Sequence, residues 1–239
     1  MKFSLLTSTA LMGLAAAVPM TFDLSPEMIE KLKTGKSSGI IPVSSSPTLQ
    51  AAGTTANEFL EGGCRPLIFI YARGSTQDGN IGASPGPQTI DGLKAVLGAD
   101  NVAAQGVEYP ATLLDNLYPG GCDPDDAKNM RDLIALAATQ CPDSKIAVAG
   151  YSQGAALVHA SIEISTPEIR ESRIVAAVTF GDTQKKQDGG KIPGFDEAKT
   201  LILCHEGDLV CKGTLIIVDA HHDYDDLAPQ AVEFIAARV

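Results

Sequence analysis

The sequence predicts an α/β fold in which a parallel sheet is covered by helices on both faces. Three observations carry that expectation. From Cys64 onward, short and almost continuously apolar runs alternate with longer amphipathic stretches. The runs are apolar on both faces, as strands buried on both sides must be. One of them, Ile146-Ala147-Val148-Ala149, leads straight into Gly150-Tyr151-Ser152-Gln153-Gly154 and then into a helical pattern, the form of a strained turn that exposes a serine.

Each element has its own reason. Leu67 to Ala72 reads as a strand and Gln88 to Leu97 as a helix, followed by a second strand, Asn101 to Val107, poorer in β-branched residues. Asp123 is placed to cap a helix with Pro124 at its first position, and Ala127, Met130, Leu133, Ile134 and Ala137 recur on one face. Strand Lys145 to Ala149, helix Ala155 to Ile164, strands Ile174 to Phe180 and Thr200 to Cys204, and a last helix from Leu227 to Arg238 complete the order. In such sheets ligands bind beyond the carboxyl ends of the strands, and Ser152 stands at one of those ends.

A chain of 239 residues accommodates one domain and a dispensable end. Met1-Lys2 followed by the apolar Leu5 to Ala17, closing on Ala15-Ala16-Ala17, reads as a secretory signal spanning residues 1–17; it is too short to cross a bilayer. Residues 18–56 are expected to be a pro-segment or disordered linker. They include a short amphipathic stretch, Thr21 to Lys33, capped by Ser25 and Pro26, and a Ser/Thr/Gly/Pro-rich run from 35 to 56. The domain is expected over 57–239. A net charge of -11 argues against nucleic acid and anionic membrane surfaces as partners, and a monomer is the expected state.

Secretion makes the five cysteines candidates for pairing. Two bridges and a free thiol can be drawn in about fifteen ways. Cys204 and Cys211 are near enough to close a small loop, Cys64 and Cys141 each precede a strand, and Cys122 is then left over. Neither a C-x-x-C nor an H-x-x-x-H spacing occurs, so no metal site is expected.

A serine hydroxyl needs a base, and the chain offers four histidines. His159 lies two helical turns beyond Ser152, roughly 10 Å along the axis, too far to take its proton, and is expected to be partly exposed. His205 follows the strand ending at Cys204 and stays a candidate. His221 and His222 precede the final helix, and one of them can face the serine. For the acid that orients the imidazole, Asp208 follows the same strand as His205, with Asp182 as its rival; Asp219 and Asp223 are too near the histidines in chain. Ser152, Asp208 and a histidine at 221 or 222 occur in the order of the α/β-hydrolase triad. The backbone N–H of Gln153 and the loop carrying Ser75 are candidate oxyanion donors.

These segments resemble those of fungal cutinases. Tyr71-Ala72-Arg73-Gly74-Ser75-Thr76 with Gly79-Asn80-Ile81-Gly82 is similar to their first strand and oxyanion loop, and Gly150 to Ala156 to their nucleophile segment. Cys204-x-x-Gly207-Asp208-x-Val210-Cys211-x-Gly213 is similar to their acid loop, and His221-x-x-Tyr224 to their histidine loop. The resemblance runs from about Cys64 to the C-terminus. It implies a single-domain α/β-hydrolase with a central five-stranded parallel sheet, a secreted serine esterase needing no cofactor, and ester substrates of the cutin-polyester or soluble kind.

The resemblance also implies His221 as the base, Ser75 and Gln153 as the oxyanion hole, Asn116 as support for Ser75, and Leu113, Leu215 and Ile217 as the apolar rim that takes substrate. It implies the pairs Cys64–Cys141 and Cys204–Cys211. The chain departs from the family pattern at His222, Asp182, Cys122 and Cys204-His205-Glu206. The alternatives to a cutin-type esterase are a carbohydrate deacetylase such as an acetylxylan esterase, and a catalytically silent binding protein on the same fold.

Overall fold

The computed structural model describes residues 53–239; the signal, the Thr21–Lys33 stretch and the linker up to residue 52 lie outside the described residues. Five strands build the sheet: β1 (Leu67–Ala72), β2 (Val102–Gly106), β3 (Lys145–Tyr151), β4 (Ile174–Phe180) and β5 (Thr200–Leu203). Their order is β2-β1-β3-β4-β5 and every pairing is parallel, as expected of the fold class. The helices are α1 (Glu58–Gly62), α2 (Gly86–Leu97), α3 (Pro124–Gln140), α4 (Gln153–Glu163) and α5 (Ala228–Ala236). Among the described residues, no helix is long and apolar enough to cross a membrane.

Two-sided burial explains the composition of the strands. Every residue of β1 and β2 is buried, and in β3 only Lys145 at its start is exposed. Leu67, Phe69 and Tyr71 join one core with Ile90 and Leu93 of α2 and Val232 and Ile235 of α5. Ile68 and Ile70 point the opposite way, by the period of two, to the face covered by α3 and α4. Each such side chain, fully buried, stabilises the fold by about 1.5–3 kcal/mol.

Helix α3 begins where its sequence predicts. The Asp123 carboxylate accepts the Asp125 N–H at 2.8 Å and Pro124 takes the first position, a cap that contributes about 1 kcal/mol. The apolar face from Ala127 to Ala137 is buried as its spacing predicts. The edge strand β2 is closed by the segment before it in sequence. Glu58 accepts the Ala104 N–H at 2.9 Å and the Ala56 carbonyl accepts the Gly106 N–H at 2.8 Å. Thr54 and Ala56, expected in the linker, are thus already tied to the sheet region, since the Thr54 carbonyl also accepts from Asn80 and Ile81.

Two boundaries differ in a way that matters for chemistry. β3 runs two residues beyond Ala149 because Gly150 and Tyr151 continue the register opposite Thr179 and Phe180. Helix α4 starts at Gln153 and not at Ala155, so strand and helix are separated by Ser152 alone.

Candidate active site

Ser152 sits between β3 and α4 with φ 55° and ψ −116°, a conformation a non-glycine residue adopts only when its surroundings enforce it. Those surroundings are specific. The Ser152 N–H donates to the Phe180 carbonyl at 2.9 Å. A Cβ at Gly150 would lie 2.1 Å from the Gly154 carbonyl oxygen, and one at Gly154 would lie 2.0 Å from that of Ala72. Both glycines of the motif are therefore steric requirements of a turn this tight.

Three side chains from distant stretches meet at this turn. His221 Nε2 is 2.9 Å from Ser152 Oγ, and His221 Nδ1 is 2.9 Å from Asp208 Oδ2. Of the adjacent histidine pair it is His221 that faces the serine; His222 lines the neighbouring wall with its ring 6.4 Å away, edge-on to His221. Asp208 has no exposed surface. Burial pushes its carboxyl upward, but hydrogen bonds from Tyr224, His221 and the Val210 N–H outweigh this and hold it below its ordinary value. It is therefore an anion well placed to stabilise an imidazolium.

The imidazole is clamped as well as aligned. The Tyr151 ring stacks on it at 5.4 Å, and the Tyr151 hydroxyl donates to the His221 carbonyl at 2.6 Å. On another side Gly181, at φ 53°, leaves the space that a Cβ would occupy 2.9 Å from His221 Cε1. The acid loop is closed by a disulfide between Cys204 and Cys211, with Asp208 inside it, and Cys64 is joined to Cys141. Both pairs agree with those implied by the resemblance.

Across the turn, Asn116 Nδ2 donates to Ser75 Oγ at 2.9 Å and to the Leu113 carbonyl at 3.1 Å, so the hydroxyl is held by a side chain anchored to its own turn. Arg73 stiffens the base of the Ser75 loop. It donates through Nε to the Gln77 carbonyl and through Nη2 to that of Tyr109, both at 2.7 Å, while the Tyr109 hydroxyl donates to the Arg73 carbonyl. Gln153, as first residue of α4, has an N–H with no intrahelical partner. Its side chain donates to the Thr112 carbonyl at 2.8 Å, linking the turn to the Leu113–Leu117 segment.

Ser152 and His221 line a crevice of about 420 Å³, with Asp208 buried behind the imidazole. Its lips are apolar and wet: Leu113 is 65% exposed, Leu215 51% and Ile217 50%. Ser75, Asn116 and Ser152 line its interior. An ester carbonyl placed there would meet a hydroxyl, a base and donors together.

Several candidates are placed elsewhere. His205 stacks on Tyr224 at 4.2 Å and bonds to the Ala220 carbonyl and Asp226, away from Ser152. Asp182, the rival acid, contacts His159. His159 itself is 3% exposed, which corrects the expectation of a partly exposed helix residue, because the loop after β4 folds over it and supplies two carboxylates. Cys122 is a buried free thiol pushed up to about 12 by burial and by Asp126 and Asp123. Tyr224, Tyr151 and Thr183 have site contacts that spacing did not reveal, although two of them stand inside the motifs that carry the resemblance.

The chain is similar to known proteins over most of its length. A family model described as Cutinase matches residues 63–239. Cutinase CUT2 of Pyricularia oryzae is 58% identical over 192 residues, 80% of this chain and 89% of that protein. Probable cutinase 5 of Aspergillus terreus is 40% identical over 197 residues, 81% of this chain and 89% of that protein. Among solved structures, Trichoderma reesei cutinase in complex with a C11Y4 phosphonate inhibitor is similar with a TM-score of 0.70. It is 34% identical, and the match covers 77% of this chain and 80% of that one.

Proposed function

The chain belongs to the cutinase family, whose members are serine ester hydrolases, and we propose that it cleaves cutin-type polyesters and short- to medium-chain esters with Ser152 as nucleophile, His221 as base and Asp208 as the acid that orients it. The observation that carries this reading is the unbroken row Ser152 Oγ, His221, Asp208, with 2.9 Å at each step, whose serine and imidazole open onto a crevice while the carboxylate is buried behind them.

In this reading His221 takes the Ser152 proton as the oxygen attacks the ester carbonyl. The oxyanion is met by Ser75 and the Gln153 N–H, with Asn116 holding the Ser75 hydroxyl in place; one such donor contributes about 3–4 kcal/mol to the transition state. Asp208 stabilises the imidazolium, which then protonates the leaving alcohol. Water releases the acyl group through the same steps in reverse. The exposed lip of Leu113, Leu215 and Ile217 supports an acyl chain or polymer surface as the ligand on that side.

Secretion is part of the proposal. Two disulfides suit an oxidising compartment, and residues 1–17 have the composition of a removable signal. The residues from 18 to the start of the described chain at 53 then form a pro-segment or linker, with Thr54 and Ala56 already bonded to the catalytic domain.

The test is hydrolysis of cutin and of p-nitrophenyl esters from acetate upward by the secreted protein and by Ser152→Ala. Release of cutin monomers and activity that persists on butyrate and longer esters, both lost in Ser152→Ala, are the expected results. A sharp preference for acetate with no action on cutin would favour a carbohydrate deacetylase. Failure of an organophosphate to label Ser152 in folded protein would favour a silent binding protein.

A further inference from the structure

A second histidine–aspartate cluster lies behind the nucleophile, and the reaction as described makes no use of it. His159, on α4 seven residues after Ser152, is sandwiched between two carboxylates: Nδ1 is 2.7 Å from Asp188 Oδ2 and Nε2 is 3.0 Å from Asp182 Oδ2. A carboxylate only accepts hydrogen bonds, and a neutral imidazole has a single N–H to donate. With both carboxylates ionised, the two contacts are satisfied together only when both ring nitrogens carry protons.

Asp182 is itself fully engaged. Besides His159 it accepts from Thr179 Oγ1 at 2.8 Å, from the Gln184 N–H at 2.7 Å and from the Lys185 N–H at 3.0 Å. It therefore fixes the turn that follows β4, and that turn touches the site at three points. The Phe180 carbonyl accepts the Ser152 N–H, Gly181 leaves room for the His221 ring, and the Thr183 hydroxyl donates to the Ser152 carbonyl at 3.3 Å. Thr183 also lines the crevice.

We infer that His159 is a buried imidazolium and a positioning residue: by clasping Asp182 and Asp188 it holds the Phe180–Thr183 turn against Ser152 and His221, and loss of its proton loosens that turn. Burial opposes the charge on His159, and the two carboxylates more than reverse this, holding its proton affinity above the ordinary histidine value. Among the described residues, the charged groups that act on the ring are Asp182 and Asp188. β4 contributes the uncharged Thr179, and of the acids buried on α3, which packs on α4, Asp132 pairs with Arg131 while Asp126 responds to Asp123, Asp115, Asp125 and Arg73.

The sign follows from linkage. A histidine whose folded proton affinity is raised contributes stability that is complete below its unfolded value, near pH 6.5, and is lost as the pH rises through the folded value. The unfolding constant of the native chain therefore rises up to tenfold per pH unit above about pH 6.5 from this group alone. His159 must keep its proton for the turn to hold, so this group shapes the alkaline limb of the pH profile.

Asp188→Asn provides the decisive variant, because an amide at 188 can donate to Nδ1 and satisfies a neutral ring. The experiment measures urea unfolding and kcat/KM between pH 6 and 10 for the native chain, Asp188→Asn and His159→Gln, together with the His159 ring shift by NMR. Expected are an imidazolium shift that persists above the ordinary histidine value in the native chain, and an alkaline decline in kcat/KM and in stability that Asp188→Asn reduces at least threefold. Neutral-pH kcat/KM in Asp188→Asn stays within about twofold, and His159→Gln lowers kcat at all pH values with KM little changed. A His159 ring that titrates near pH 6.5, or an Asp188→Asn chain that keeps both alkaline slopes, overturns the inference. Only the kinetic arm rests on the esterase reading; the NMR and unfolding arms decide the charge state of the clasp even if the chain turns over no ester.

Discussion

Tyr224 and Asp208 are joined by a 2.6 Å hydrogen bond, and the oxygen that receives the phenol is the one that also receives His221 Nδ1. One carboxylate oxygen thus serves two donors, while the other accepts the Val210 N–H. A hydrogen bond to a charged group contributes about 1.5–3 kcal/mol. In Tyr224→Phe the carboxylate loses one of its three fixed donors, and kcat is expected to fall about tenfold with KM unchanged. Initial-rate kinetics on a soluble ester checks this; an unaltered kcat would show that His221 and Val210 suffice to hold Asp208.

The same carboxylate makes a prediction for acid. Its proton affinity is depressed in the folded state, so it contributes stability above its unfolded value, near pH 3.9, that disappears as the pH falls through the folded value. Asp208→Asn cannot lose what it lacks. Urea unfolding between pH 2 and 6 is expected to show a shallower acid decline in the variant than in the native chain. Parallel curves would remove Asp208 from the acid response.

Asn116 Nδ2 holds the Ser75 hydroxyl, and its effect on the reaction is expected to run through that bond. Ser75→Ala is expected to lower kcat by about 10²–10³-fold and Asn116→Ala by about tenfold, since the hydroxyl is still present but free to turn. The double variant should then be no slower than Ser75→Ala alone. Additive losses in a double-mutant cycle would instead give Asn116 a contact of its own with the transition state.

The two disulfides should fail in different ways. Cys64–Cys141 spans 77 residues, and in the chain-entropy model its removal costs about 4–5 kcal/mol. Replacing both cysteines by serine is expected to lower the urea midpoint while leaving the kcat of folded protein nearly unchanged. Cys204–Cys211 spans only 7 residues, so its loss costs about 2 kcal/mol of stability, yet it frees the loop that carries Asp208. Here the expected result is the reverse: a modest midpoint shift and a marked fall in kcat.

Much of this was legible in the residues, for identifiable reasons. Strand β4 has the bounds read from its apolar run, Ile174 to Phe180, because burial on both faces leaves an unbroken signal. The glycines of the Ser152 turn announce a steric need that no other residue meets. The choice between His221 and His222 was not available from spacing; it depends on which ring the short turn at Asp219–His221 directs inward, a tertiary fact. His159 was misread because its partners come from a loop 23 and 29 residues further along. A helical position says which side a residue faces, and not what another segment will bring to meet it. Tyr224 stood in a quoted motif without a role, since the reach of its hydroxyl to Asp208 requires α5 and the acid loop to be in place.

The chain has five tyrosines and no tryptophan, so its ultraviolet emission is dominated by phenols. Two of the five, Tyr151 and Tyr224, lie 5.4 and 6.4 Å from the His221 ring. Tyr151 also lines the crevice, whereas Tyr224 is fully buried behind it, so a molecule settling there alters the surroundings of one tyrosine in five. The native protein thereby carries an optical gauge of its own occupancy, readable without any attached dye.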